Sequence, residues 1–112
     1  MIGKKNFLPI IIQGTEFVRP ISYVENIGSA QIKTACCFAA LNAPGKTLIR
    51  ARKSRNHTEL LFKYLKIPIK VKSNKKYDLI EVIGLQQYNA FNYSIPGDIS
   101  SSAFFIVLTL LS

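Results

Sequence analysis

Apolar and polar positions change their period several times along the chain, and each change predicts an element. Leu8 to Gln13 is a compact apolar run closed by Gly14, the pattern of a buried strand. The stretch from Thr15 to Gly28 predicts an edge or connecting strand around Ile21 to Val24, then a turn. From Ser29 the period becomes helical, with Ile32, Ala35, Cys36, Ala39 and Ala40 expected on one buried face. Ser29 is the expected N-cap, and Pro44-Gly45 ends the helix.

Lys46 to Arg52 alternates enough to be a strand. Asn56, followed by Glu59, resembles a capping box, and His57, Leu61, Tyr64 and Leu65 then make a helical stripe that stops before Pro68. Ile67, Ile69 and Val71 alternate with Pro68, Lys70 and Lys72, which predicts a half-buried strand with one basic face. Ser73-Asn74-Lys75-Lys76 is a polar turn, and Tyr77 to Ile83 pairs back as a hairpin ended by Gly84. Leu85 to Ile95 has no clear period. Asp98 caps an apolar run, Ile99 to Leu111, expected to be a buried helix, or a strand if its β-branched and aromatic residues prevail. The element order is strand, helix, strand, helix, strand, strand, which places the chain in the α/β (α+β) class. An apolar element running to the last residues suggests a truncated chain or one that packs against something further.

Composition narrows the picture. At 112 residues, with 48% hydrophobic and 11% aromatic content, the chain is one globular domain's worth. No run approaches the roughly 18 to 20 apolar residues a membrane helix needs. The start, Met1 to Pro9, mimics a signal peptide, but its apolar run breaks at Pro9 and stops at Gln13, which reads against secretion. Cys36 and Cys37 are adjacent and offer neither an ordinary mutual disulfide nor a metal-ligand spacing, and His57 is the sole histidine, so a reduced cytoplasmic setting without a metal is expected. Formal charge is +9, and most of the basic residues fall between Lys46 and Lys76, opposed there only by Glu59. Such a field suits nucleic acid, a membrane surface or a small anion, or simply a solvated face.

Two polar segments sharpen the choice. Gly28-Ser29-Ala30-Gln31-Ile32-Lys33 and Ser54-Arg55-Asn56-His57-Thr58-Glu59 each precede an amphipathic run, so each can aim free backbone N–H groups at an anion. That pairing predicts a phosphorylated metabolite as ligand. By themselves, Ser29 is also an ordinary cap, Gln31 a solvated first-turn residue, Arg55 a surface charge and Lys33 a solvated or partner-facing charge. His57 reads as packed or hydrogen-bonded, Asp98 as a cap, and the two cysteines as small core residues.

These segments, together with Pro96-Gly97-Asp98-Ile99-Ser100-Ser101-Ser102-Ala103-Phe104-Phe105, occur in the order found in the 5-enolpyruvylshikimate-3-phosphate synthases, the 3-phosphoshikimate 1-carboxyvinyltransferases. Leu8-Pro9 and the turn Leu41-Asn42-Ala43-Pro44-Gly45-Lys46-Thr47 are also similar, so the resemblance covers Leu8 to Ser112. It implies a βαβαββ unit over 8–84, then a connection and a buried terminal helix of a next unit over 85–112, the whole of 1–112 forming a single partial domain. It implies enolpyruvyl transfer from phosphoenolpyruvate to shikimate 3-phosphate, with no metal or organic cofactor. Ser29, Ala30 and Gln31 match the triplet that holds shikimate 3-phosphate, and Ser54 and Arg55 match the second motif, where a hydroxyl and a planar fork meet phosphate or substrate oxygens.

Asn26, Asn56 and Ser102 depart from the family's usual proline, aspartate and alanine. The residues that grip phosphoenolpyruvate and move protons have no match, so no catalytic residue is assigned and the chain alone is expected to be inactive, with complementing fragments as possible partners. Two other functions stay open: a nucleic-acid-binding module using the Lys46 to Lys76 run, and a non-catalytic interaction protein docking through Phe104 to Leu111.

Overall fold

A computed structural model describes residues 10–111. Its elements are β1 (Ser22–Glu25), α1 (Ala30–Leu41), β2 (Lys46–Arg52), α2 (His57–Tyr64), β3 (Ile69–Ser73), β4 (Tyr77–Ile83) and α3 (Ile99–Leu111). The four strands form one sheet in the order β1-β2-β4-β3. β1 lies parallel to β2, whereas β4 is antiparallel to both β2 and β3. β2 and β3 therefore run the same way with β4 inserted between them, and α1 and α2 are the two crossovers of a mixed α/β fold.

That topology dictates where the helices begin. α1 leaves the carboxyl end of β1 and α2 leaves the carboxyl end of β2, which are neighbours in the sheet, so both helix starts emerge at one edge. Each strand presents alternate residues to the helices: Thr47, Ile49 and Ala51 from β2, and Asp78, Ile80 and Val82 from β4, are all buried. Cys37 and Ala40 of α1, Phe62 of α2 and Ile67 complete the core. The opposite face carries Lys46, Arg50, Arg52, Lys70 and Lys72, with Arg50 stacked 4.4 Å from the Tyr77 ring centre and Lys46 paired to Glu81 at 3.2 Å. Five residues of the basic run thus lie on the outer face of the sheet, while Lys53, Arg55, Lys63, Lys66, Lys75 and Lys76 fall in the loops, the hairpin turn and α2.

Local chemistry sets the turns. Asn74 Oδ1 accepts from the Lys76 and Tyr77 N–H groups at 2.9 and 2.8 Å, closing the β3–β4 hairpin. Gly45, at φ 104°, occupies a backbone region that other residues avoid, and turns the chain from α1 into β2.

Four expectations need correction. Leu8 and Pro9 lie outside the described residues, and 10–13 form no strand: Ile10, Ile11 and Ile12 are exposed, since an apolar run is buried only where another layer covers it. The buried face of α1 is Lys33, Cys37 and Ala40; of the predicted stripe only Ala40 is buried, Ile32 and Cys36 are half-buried, and Ala35 and Ala39 are exposed. With alanine and cysteine on most sides of the helix, periodicity could not fix its rotation. In α2 the buried residues are Thr58, Glu59 and Phe62, while His57 and Tyr64 face solvent. α3 is a helix as predicted, capped by Asp98, which accepts from the Ser100 and Ser101 N–H groups at 3.0 and 3.3 Å, but none of its described residues is buried. An all-round apolar helix needs a facing surface, and no element among the described residues supplies one.

Burial pushes the Cys37 thiol up to about 12, helped by the Glu59 carboxylate and the neighbouring Cys36 and opposed in part by Lys33. An acid group whose folded value is raised favours the folded state below its unfolded value and loses that contribution as pH climbs toward 12. Iodoacetamide near pH 8 is therefore expected to spare Cys37 in the folded chain and to label it on unfolding; equal labelling in both states would contradict its burial.

Candidate anion-binding site

The turn between β1 and α1 is built around a carboxylate that the sequence reading passed over. Glu25, 1% exposed at the end of β1, accepts from the N–H groups of Ile27 at 2.7 Å, Gly28 at 2.9 Å and Ser29 at 3.2 Å. Gly28 takes φ 84°, which lets the three N–H groups converge on that one anion. Burial alone would raise the Glu25 carboxyl, but hydrogen bonds from the backbone of Ser29, Gly28, Ile27 and Arg52 outweigh it and hold the group below the usual carboxylate range. Its stabilising effect is therefore present above the ordinary carboxylate value and is lost as pH falls through the lowered one. In an acid titration, the Ile27 and Gly28 amide resonances are expected to move only below the usual glutamate range, and to lose that step in Glu25→Gln. A midpoint at or above the ordinary glutamate value would refute this account of the turn.

The consequence for the site is specific. The N–H groups of Ile27, Gly28 and Ser29 are committed to Glu25, so the donors left open at the α1 start are those of Ala30 and Gln31, which have no acceptor within the helix. Ser29 caps as predicted: its Oγ accepts from the Ile32 N–H at 3.3 Å and donates to Gln31 Oε1 at 3.2 Å. Its hydroxyl is thereby engaged in the first turn.

α2 begins differently. Asn56 makes no side-chain cap bond, and Glu59 turns away from the cap to pair with Lys33, so the predicted capping box is absent. The N–H groups of His57, Thr58 and Glu59 then lack helical acceptors, because the first intrahelical bond runs from Leu60 N–H to the Asn56 carbonyl at 3.1 Å. An uncapped start leaves the positive end of the helix dipole unopposed.

Both starts open on one cleft of about 670 Å³, lined by Gly28, Ala30, Gln31, Thr34, Ala35, Ser54, Arg55, His57 and Thr58. The lining holds no acidic residue. Of the predicted site residues, Ala30, Gln31, Ser54 and Arg55 line it directly, and Ser29 sits just behind as the cap. The Ser54 hydroxyl oxygen is buried without a hydrogen-bond partner among the described residues, a polar atom awaiting an acceptor or donor. Arg55 is exposed.

Besides the Lys33–Glu59 pair, two further side-chain contacts join the helices under this cleft. Thr34 Oγ1 and Thr58 Oγ1 are 2.6 Å apart, and the Phe38 and Phe62 rings meet edge to face at 5.4 Å. Both contacts advance one helical turn on each helix in the same sense, so α1 and α2 run parallel and their dipoles add at the cleft. His57, Thr34, Thr58 and Glu25 are the residues that sequence reasoning missed. Only the membership of His57 and Thr58 in the second polar segment could have signalled their place in the lining. Among the described residues no cluster of His, Cys, Asp or Glu could hold a metal ion, and no helix is long and apolar enough to cross a membrane.

The EPSP synthase (3-phosphoshikimate 1-carboxyvinyltransferase) family model matches residues 1–112. Curated relatives named 3-phosphoshikimate 1-carboxyvinyltransferase include one from Caldicellulosiruptor bescii, 43% identical over 111 residues, which are 98% of this chain and 25% of that relative. Another, from Enterococcus faecalis, is 39% identical over 111 residues, with the same shares of the two chains. A solved EPSP synthase from Acinetobacter baumannii superposes with a TM-score of 0.73 at 32% identity, covering 95% of this chain and 23% of that one. The chain spans about a quarter of the length of these relatives. With its motifs, its backbone and its whole length all matched by the same group of proteins, the chain belongs to the EPSP synthase family.

Proposed function

We propose that this chain carries the shikimate 3-phosphate wall of a cytoplasmic 3-phosphoshikimate 1-carboxyvinyltransferase, the enzyme that transfers the enolpyruvyl group of phosphoenolpyruvate to shikimate 3-phosphate. The observation that carries the reading is the convergence of two parallel helix starts on one cleft free of acidic residues. A phosphate there meets the open N–H groups of Ala30 and Gln31 and the field of both dipoles. The Ser54 hydroxyl and the Arg55 fork supply side-chain donors, and the Gln31 amide offers both donor and acceptor to a hydroxylated ring. Ser29 contributes by holding the first turn of α1 in place.

The lining offers no group placed as a nucleophile with its base, nor any carboxylate for proton transfer. Enolpyruvyl transfer therefore draws on residues outside this wall, and complementing segments of such an enzyme are the partners this reading implies. The test is a titration of the chain with shikimate 3-phosphate, following amide resonances. Saturable shifts at Ala30, Gln31 and Arg55, with the β3–β4 hairpin unmoved, are expected. Shifts confined to the outer basic face of the sheet, at Lys70 and Lys72, would move the ligand away from the cleft and overturn the reading.

A further inference from the structure

Lys33 and Glu59 are fully buried partners from different helices, 0% and 3% exposed, with Lys33 Nζ 2.7 Å from Glu59 Oε1. Lys33 belongs to the first turn of α1, where its N–H donates to the Ser29 carbonyl, and Glu59 belongs to the first turn of α2. The contact ties together the two turns whose openings line the cleft. Apart from each other, neither charged group has a hydrogen-bond partner among the described residues.

We infer that the Lys33–Glu59 pair is a positioning device that sets the spacing of the α1 and α2 starts and thereby the ligand affinity of the cleft between them. The inference rests on the functional reading above for the identity of the ligand. Buried ion pairs are poor stabilisers, because desolvating two charges costs about as much as their attraction returns, and apolar replacements of similar volume are often neutral or better. What such a pair does supply is a narrow geometry. Sliding one helix start past the other strands two buried charges with no alternative partner, whereas an apolar contact tolerates the same shift at little cost. The Thr34–Thr58 contact at 2.6 Å lies beside the pair on the cleft floor and follows its register.

The double variant Lys33→Met/Glu59→Leu removes the charges while conserving volume. It is expected to keep the thermal midpoint of the unaltered chain and to bind shikimate 3-phosphate between about tenfold and a hundredfold more weakly, the range for converging groups displaced by about an ångström. Without any ligand, its Ala30, Gln31, Arg55 and His57 amide resonances are expected to shift. A folded double variant with unchanged affinity and unmoved amides overturns the inference. Glu59→Asp keeps the charge but draws the carboxylate back by one methylene, and it provides the same reading if the double variant does not fold. Affinity lost in Glu59→Asp is expected to return when Lys33→Arg restores the reach, and failure to return counts against positioning through this contact. If the unaltered chain does not bind shikimate 3-phosphate, the functional reading falls, while the ligand-free amide shifts still decide whether the pair sets the geometry.

Discussion

Gly84→Ala is expected to be the most damaging single-methyl change in the chain. Gly84 follows β4 where the sheet passes under the end of α1, and a Cβ there would lie 2.2 Å from the Ala40 carbonyl oxygen, 2.3 Å from that of Ala43 and 3.1 Å from that of Leu41. These are backbone atoms and cannot swing aside as a side chain would. The glycine is also pinned: its N–H donates to the Gly45 carbonyl at 3.0 Å, and the Leu85 N–H donates to Leu41 at 2.8 Å. Relief requires prising the α1 end from β4, at a cost at or beyond the roughly 1–3 kcal/mol usual for overpacking. Against a total stability of about 5–15 kcal/mol, that predicts a thermal midpoint lower by more than about 10 °C. Gly97→Ala is the control, since nothing lies within 4 Å of its added methyl, and it should leave the midpoint unmoved. Equal midpoints for the two variants would show that α1 does not close on β4 as described.

Arg55→Ala carries the largest expected effect on binding. Arg55 is exposed in the cleft lining, so its removal leaves the fold intact and deletes a charge-assisted donor from the ligand. Hydrogen bonds to charged groups contribute about 1.5–3 kcal/mol, which corresponds to a loss of roughly tenfold to a hundredfold in affinity for shikimate 3-phosphate. Arg55→Lys keeps the charge without the planar fork and is expected to fall between the two. Calorimetric titration of all three chains separates these outcomes. An Arg55→Ala affinity within about twofold of the unaltered chain would place the phosphate elsewhere.

The elements themselves were legible in the sequence because their signals are local. Alternation predicted β2 at its observed bounds, Lys46–Arg52, and the polar turn at 73–76 with Gly84 beyond it predicted β4, Tyr77–Ile83, and the hairpin. Ser29 reads as a cap because a hydroxyl at that position has an N–H three residues on to accept from, as it does at Ile32. The rotation of each helix was not legible. α1 is apolar on most sides, and its one lysine reads as a solvated or partner-facing charge, whereas it is buried against Glu59, distant in sequence. The same contact withdraws Glu59 from the capping box that Asn56 would begin, so a single long-range ion pair sets the place of both residues. Glu25 went unnoticed for a related reason: an isolated acid at a strand end has no periodic signature, and its role exists only once the turn folds its N–H groups around it.

By itself the sequence determined the order of strands and helices, the two polar segments that open α1 and α2, and the donors those segments carry, since all of these follow from neighbours a few residues apart. Only the tertiary structure decided that the two openings share a cleft. Placing β1 beside β2 in parallel brings their carboxyl ends, and hence both helix starts, to one edge, and that adjacency depends on sheet pairing between residues such as Tyr23 and Ile49 that no local pattern specifies. It also decided which side of each helix meets the sheet, and among the described residues it places no layer over α3, because burial depends on having an opposing surface as well as on the hydrophobicity of the helix.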